Sequence, residues 1–121
     1  MAANKVFRFG PVAVANAIGN LLNPGTITGG TNMGAGNIIL LLRHIRIVNK
    51  TAGAVTFSGY IGLTGGSAAG TEFLGTGLSI PANSYVDWYG AVPLKVADFF
   101  TGLASAATSL TIEGEGEIGI D

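Results

Sequence analysis

The chain has 121 residues, no cysteine, a formal net charge of −1 and only 11% charged residues. That length suits one compact domain, the absence of cysteine excludes disulfide frameworks and thiolate metal centres, and six scattered lysines and arginines do not make the basic face that nucleic acid requires. Mean hydropathy is nevertheless positive, and nothing ionisable lies between Arg8 and Arg43, so much of the surface is expected to be covered by other subunits.

Residues 1–37 read as an N-terminal arm. Val6-Phe7-Arg8-Phe9 suits a short strand that Pro11 to Ala15 extends past a bend, and Asn20, Asn23-Pro24-Gly25 and Gly29-Gly30 mark turns. The stretch from Pro24 to Asn37 is a loop of Gly, Thr and Asn. Phe7, Phe9, Leu21 and Leu22 need burial somewhere, and the arm reading gives them a neighbouring subunit as partner. No secretory signal is expected, because Pro11, Asn16 and Asn20 interrupt any apolar core after Lys5 and Arg8. Ile38 to Leu42, the longest aliphatic run, is far short of the roughly 20 residues of a membrane span.

Residues 38–121 carry the denser strand signals. Ile38 to Val48 is β-rich, and strict alternation puts Arg43, Ile45 and Ile47 opposite Leu42, His44, Arg46 and Val48. Asn49 to Gly53 is turn chemistry, and Ala54 to Gly62 follows with Val55, Phe57 and Ile61 on one face, so the two segments are expected to pair as a hairpin. Thr71 to Ile80 reads as a strand weakened or bulged at Gly75 and Gly77. After a turn at Pro81 to Ser84, a short strand over 85–89 sets Tyr85, Asp87 and Tyr89 against Val86 and Trp88, with Trp88 assigned to the core. Leu94 to Leu103 has three- and four-residue apolar spacings and is the one segment read as a short helix.

The clearest pattern closes the chain. From Leu110 to Ile120 one face carries Leu110, Ile112, Gly114, Gly116, Ile118 and Ile120, and the other carries Thr111, Glu113, Glu115 and Glu117. The whole reads as an all-β fold: an antiparallel β-sandwich or jelly-roll-like single domain with an extended N-terminal arm.

Chemistry is sparse. Two carboxylates about 6.5–7 Å apart along a strand suit a cation site or a glycosidase pair, but the first needs further oxygen ligands and the second a cleft, so a solvated face or arginine partners on the next strand is preferred. Arg43 and Arg46 fall on opposite faces, which leaves one of them to serve. His44, the sole histidine, lacks a Gly-x-Ser-x-Gly elbow and reads as a polar-face residue. Asn49-Lys50-Thr51 matches a glycosylation sequon, without a signal peptide to give it meaning. Tyr85 and Tyr89 suit either a subunit contact or a sugar ring. No catalytic, cofactor or metal residue is assigned, and the chain is read as a non-enzyme.

Four phrases carry a resemblance: Arg43 to Thr51, Ala69 to Gly75, Pro81 to Gly90 and Leu110 to Gly119. Together, over residues 38–120, they resemble small all-β virion structural proteins of tailed bacteriophages, of the head decoration or cement type. The resemblance implies a protein of the virion, made in the bacterial cytoplasm, that forms a homo-oligomer, with a trimer favoured, and clamps the major capsid protein lattice or other virion proteins. It implies no cofactor, no direct nucleic-acid contact and no membrane contact. A tail, collar or baseplate component, or a carbohydrate-binding module for host recognition, is the alternative.

Overall fold

The computed structural model describes residues 5–24, 38–74 and 76–120. Eight strands follow one another: β1 (Lys5–Val14), β2 (Gly19–Leu22), β3 (Ile38–Asn49), β4 (Val55–Gly62), β5 (Leu78–Ile80), β6 (Ser84–Leu94), β7 (Phe99–Ala104) and β8 (Leu110–Ile120). They form two four-stranded sheets, β1-β8-β3-β6 and β2-β7-β4-β5, with every pairing antiparallel. First pairs with last, second with seventh, third with sixth, and fourth with fifth. This is one long hairpin rolled over itself, the eight-stranded jelly roll, and it confirms the all-β sandwich expectation.

Each sheet buries one face because its strands alternate. On β8, Leu110, Ile112, Gly114, Gly116 and Ile118 are buried, as the sequence pattern predicts. On β4, Val55 and Phe57 are buried while Thr56, Ser58 and Tyr60 are partly open. Phe100 sits at the centre of the core, with edge-on contacts to Phe9, Phe57 and Phe73 at ring-centroid separations of 6.0, 6.4 and 5.7 Å. Such pairs add about 0.5–1.5 kcal/mol each beyond their area burial. Trp88 packs on the margin of this core, edge to face with Phe73 at 5.0 Å, beside an apolar cleft between β5 and β6.

Four expectations are corrected. First, residues 5–22 are no arm: β1 and β2 are integral strands, one in each sheet, so the boundary at 37/38 does not divide the fold. Phe7, Phe9 and Leu22 lie in the core, which leaves none of these three free for a neighbouring subunit, and Leu21 packs half-buried against it. The partner that satisfies the two phenylalanines is β8, more than a hundred positions along the chain: Phe7 faces Gly116 and Phe9 faces Gly114. The expected Gly/Asn/Thr loop lies, from residue 25 to 37, outside the described residues.

Second, β3 and β4 are not a hairpin, because the turn at 50–54 carries the chain from one sheet to the other. Third, the Leu94–Leu103 segment is not helical. The Lys95 N–H donates to Asp98 Oδ2 and the Asp98 N–H to the Lys95 carbonyl, both at 2.9 Å, which closes a turn between β6 and β7. Aromatic and β-branched residues Phe99, Phe100 and Thr101 then favour the strand. Fourth, the strand expected over 71–80 shrinks to β5, with Glu72 contributing a single bridge to Tyr60.

Among the described residues, every buried side-chain nitrogen or oxygen has a partner. Asn49 is the hub of this polar satisfaction. Its amide donates to the carbonyls of Gly53 (2.9 Å) and Ile80 (3.0 Å), and its Oδ1 accepts from the Thr51 N–H (2.9 Å) and hydroxyl (2.6 Å). Fully enclosed and fully bonded, Asn49 is a turn-building residue in the folded protein.

Candidate functional site

The outward face of β1-β8-β3-β6 gathers most of the charge of the chain. Register sets the rows. Arg8, Glu115, His44 and Tyr89 stand across the four strands in one line. Glu113, Arg46 and Asp87 form the next, and Val6, Glu117, Leu41 and Pro93 lie on the other side. A register break between Leu42 and His44 lets both Leu42 and Ile45 point inward. Strict alternation therefore fails at Arg43, which bulges out to meet Glu117 at 3.4 Å. Both arginines thus reach the outer face, where strict alternation allowed only one.

His44 is the centre. Its Nδ1 lies 2.8 Å from Glu115 Oε1 and its Nε2 lies 2.8 Å from Asp87 Oδ1. Both contacts are satisfied together only when both ring nitrogens carry protons. Burial by itself lowers the imidazole pKa, but the hydrogen bonds and negative charges of Glu115 and Asp87 outweigh it and raise the pKa above the ordinary 6.5. Asp87 in turn accepts two bonds from Arg46, at 2.8 and 3.1 Å. The Arg46 guanidinium, followed by the His44 ring, pulls the Asp87 pKa from 3.8 down to about 2. Tyr89 stacks on His44 with centroids 4.7 Å apart, and Arg46 sits 4.3 Å over the Tyr85 ring.

The signs of these shifts make a pH prediction. The His44 contribution to stability is complete below pH 6.5 and is lost as pH rises through its elevated pKa in the folded protein. The Asp87 contribution is complete above its ordinary 3.8 and is lost as pH falls toward about 2. Melting temperature, measured with a metal chelator present, should therefore be highest between these limits. His44→Gln should remove the alkaline decline while leaving the acid one in place.

The residues that the sequence nominates for interaction divide by location. Tyr85 and Tyr89 are exposed on this face, 51% and 71% accessible, whereas Phe7, Phe9 and Leu22 are interior and Leu21 is half-buried. What sequence reasoning missed is the set His44, Glu113 and Glu115, whose ligating atoms all lie within 4.8 Å of one another. The only signal was outward parity on separate segments, and parity does not say which strand lies beside which.

No known protein family and no curated protein matches the chain. Solved structures share its path at low similarity. The virus-like particle of Macrobrachium rosenbergii extra small virus aligns with 96% of this chain and 76% of its own, at 7% identity and a TM-score of 0.45. The Gx strain of infectious bursal disease virus aligns over 97% of this chain at 12% identity and a TM-score of 0.43, and this chain spans about a third (32%) of it. A Bacillus endospore appendage protein aligns over 98% of this chain and 91% of its own, at 13% identity and a TM-score of 0.42. At these values the likenesses carry no argument about role.

Proposed function

We propose that this protein is a structural, non-enzymatic subunit of a bacteriophage virion, of the capsid-decoration type, which self-associates and packs the outer face of β1-β8-β3-β6 against the major capsid protein lattice. One observation supports this reading above the rest. On that face most charges are paired (Arg43 with Glu117, Arg46 with Asp87, His44 between Asp87 and Glu115), with Arg8 exposed beside Glu115, while large apolar groups stand open at both edges. Val6, on edge strand β1, is 81% accessible, and Tyr89, on edge strand β6, is 71% accessible. Paired charges cost less to cover than isolated ones, and the apolar rim gains from contact. Many copies on a repeating shell then turn modest single contacts into firm attachment. The non-enzymatic reading rests on His44, which commits both ring nitrogens to carboxylates and has none left to serve a nucleophile.

The test is co-sedimentation with capsid shells assembled without this protein. The parent chain should saturate the shells. The double variant Val6→Lys, Tyr89→Ala, which sets a lysine opposite Glu117 and adds no acid beside Glu115, should remain folded by circular dichroism yet stay in the supernatant. Equal binding by the double variant would move the interface elsewhere.

A second reading follows from the same two tyrosines. Flanking Asp87 on an open edge, they offer ring faces and a polar group to a glycan. Glycan-array binding lost in Tyr85→Ala would favour a host-recognition module over a cement protein.

A further inference from the structure

We infer that His44, Glu113 and Glu115 form a binding site for a divalent transition-metal ion of the Zn²⁺ class. A row of carboxylates alone would not carry this. What carries it is an imidazole held in the orientation a metal ligand needs, by groups outside the ligand set. In metal sites a ligating histidine almost always gives its other ring N–H to a carboxylate, backbone carbonyl or water, which fixes the tautomer and raises the basicity of the ligating nitrogen. Here Nε2 faces Asp87 Oδ1 at 2.8 Å, and Asp87 is pinned by two bonds from Arg46. Tyr89, stacked on the ring, restricts its rotation. Nδ1 is thereby aimed at the two glutamates, with Glu115 Oε1 at 2.8 Å and Glu113 Oε1 at 3.9 Å.

Those separations suit the ion. Tetrahedral Zn²⁺ with bonds near 2.0–2.1 Å places its donors about 3.3 Å apart. The two distances from Nδ1 bracket that value, and all three donor atoms lie within 4.8 Å of one another, so closing the site requires the glutamates to rotate toward a common centre. Two carboxylates balance the charge of the ion, and the imidazole gives up the Nδ1 proton to bind it while Nε2–H stays with Asp87. Three protein donors, one of them nitrogen, favour Zn²⁺ over Ca²⁺, which takes six to eight oxygens, and over Mg²⁺, which holds its waters. The fourth position is left to water or to a donor from outside the chain. Glu117, two residues further along β8, is engaged by Arg43 and lies outside the set.

The inference does not depend on the assembly reading, since its test uses the free protein. His44 is the only histidine and there is no cysteine, so an imidazole-dependent signal reports one place in the molecule. The full chain, stripped with chelator, is titrated with Zn²⁺ by calorimetry and with Co²⁺ by visible absorption. Saturable binding of one ion per chain is expected, lost in His44→Gln and in Glu115→Gln, retained in Glu117→Gln, and weakened by about 10- to 100-fold in Asp87→Asn. Circular dichroism in chelator shows whether each variant is folded; should His44→Gln fail to fold, the Glu113→Gln, Glu115→Gln double variant decides. Absence of saturable binding to the parent overturns the inference. So does undiminished binding in the folded variants of the triad, or tighter binding of Ca²⁺ than of Zn²⁺.

Discussion

Adding one methyl group at Gly116 is expected to cost at least about 3 kcal/mol of stability. Gly116 faces Leu42 on β3 and Phe7 on β1. A Cβ built there would run into the Leu41 carbonyl oxygen and come within 3.0 Å of Phe7 Cε1. The carbonyl belongs to the strand that has just begun to bulge at Arg43, and it is main chain, so it cannot swing aside. Gly114 repeats the arrangement one pleat away, where a Cβ would meet Phe9 Cζ at 2.7 Å and the His44 carbonyl at 3.0 Å. The two glycines make room on β8 for the two phenylalanines of β1, and that exchange of volume fastens the first strand to the last. Gly119→Ala is the control: on the outer face of the same strand its Cβ meets only the Ile39 carbonyl, at 3.8 Å, and the substitution should be neutral or slightly stabilising. Urea denaturation of the two alanine variants side by side measures the difference. Equal stabilities would show that β1 does not pack on β8 through these rings.

Asn49→Ala is expected to lower stability by about 3 kcal/mol. It removes the Asn49 donor from the Ile80 and Gly53 carbonyls, the latter keeping only the Thr51 hydroxyl at 3.0 Å, and it leaves the Thr51 N–H without Asn49 Oδ1. Asn49 sits where β3 hands the chain to the opposite sheet, and Ile80 ends β5 in that sheet, so the amide ties the two layers together at one end. Asn49→Asp tests the donor role at constant shape. Near neutral pH it should be at least as damaging as alanine, because a buried carboxylate would then face two carbonyl oxygens. The penalty should shrink in acid, once the carboxyl can donate. A pH-independent loss for Asn49→Asp would contradict the assignment of the amide as donor to both carbonyls.

The parts of the fold that were legible in the sequence, and the parts that were not, differ for physical reasons. β8 was legible residue by residue because one face is apolar or glycine and the other acidic, with no irregularity to shift the parity. β4 was legible for the same reason. β3 was half legible: a bulge inserts one residue, and every position before Arg43 then takes the face opposite to the one strict alternation assigns. Phe7 and Phe9 showed the strand pattern, yet nothing local could say that their partner was the far end of the chain. The jelly roll makes nearly all of its pairings between distant segments, so neighbouring strands in sequence suggest a hairpin where the fold has a crossing between sheets. Leu94 to Leu103 has helical spacing by coincidence of an inward strand with a turn closed by Asp98. The His44 network suffered from the same lack of register. Each member was visible on its own strand, and only the order β8-β3-β6 brings Glu115, His44 and Asp87 into contact.

Attachment through the outer face of β1-β8-β3-β6 requires that this face be covered in the assembled particle. Hydroxyl-radical footprinting of the protein, free and on capsid shells, reads that cover residue by residue. Tyr85 and Tyr89 report this face, and Tyr60, on the opposite sheet and only partly open, serves as internal reference. Tyr85 and Tyr89 are expected to lose reactivity on the shells while Tyr60 keeps it. Protection of Tyr60 with both other tyrosines still reactive would place the contact on the wrong sheet and contradict the proposal.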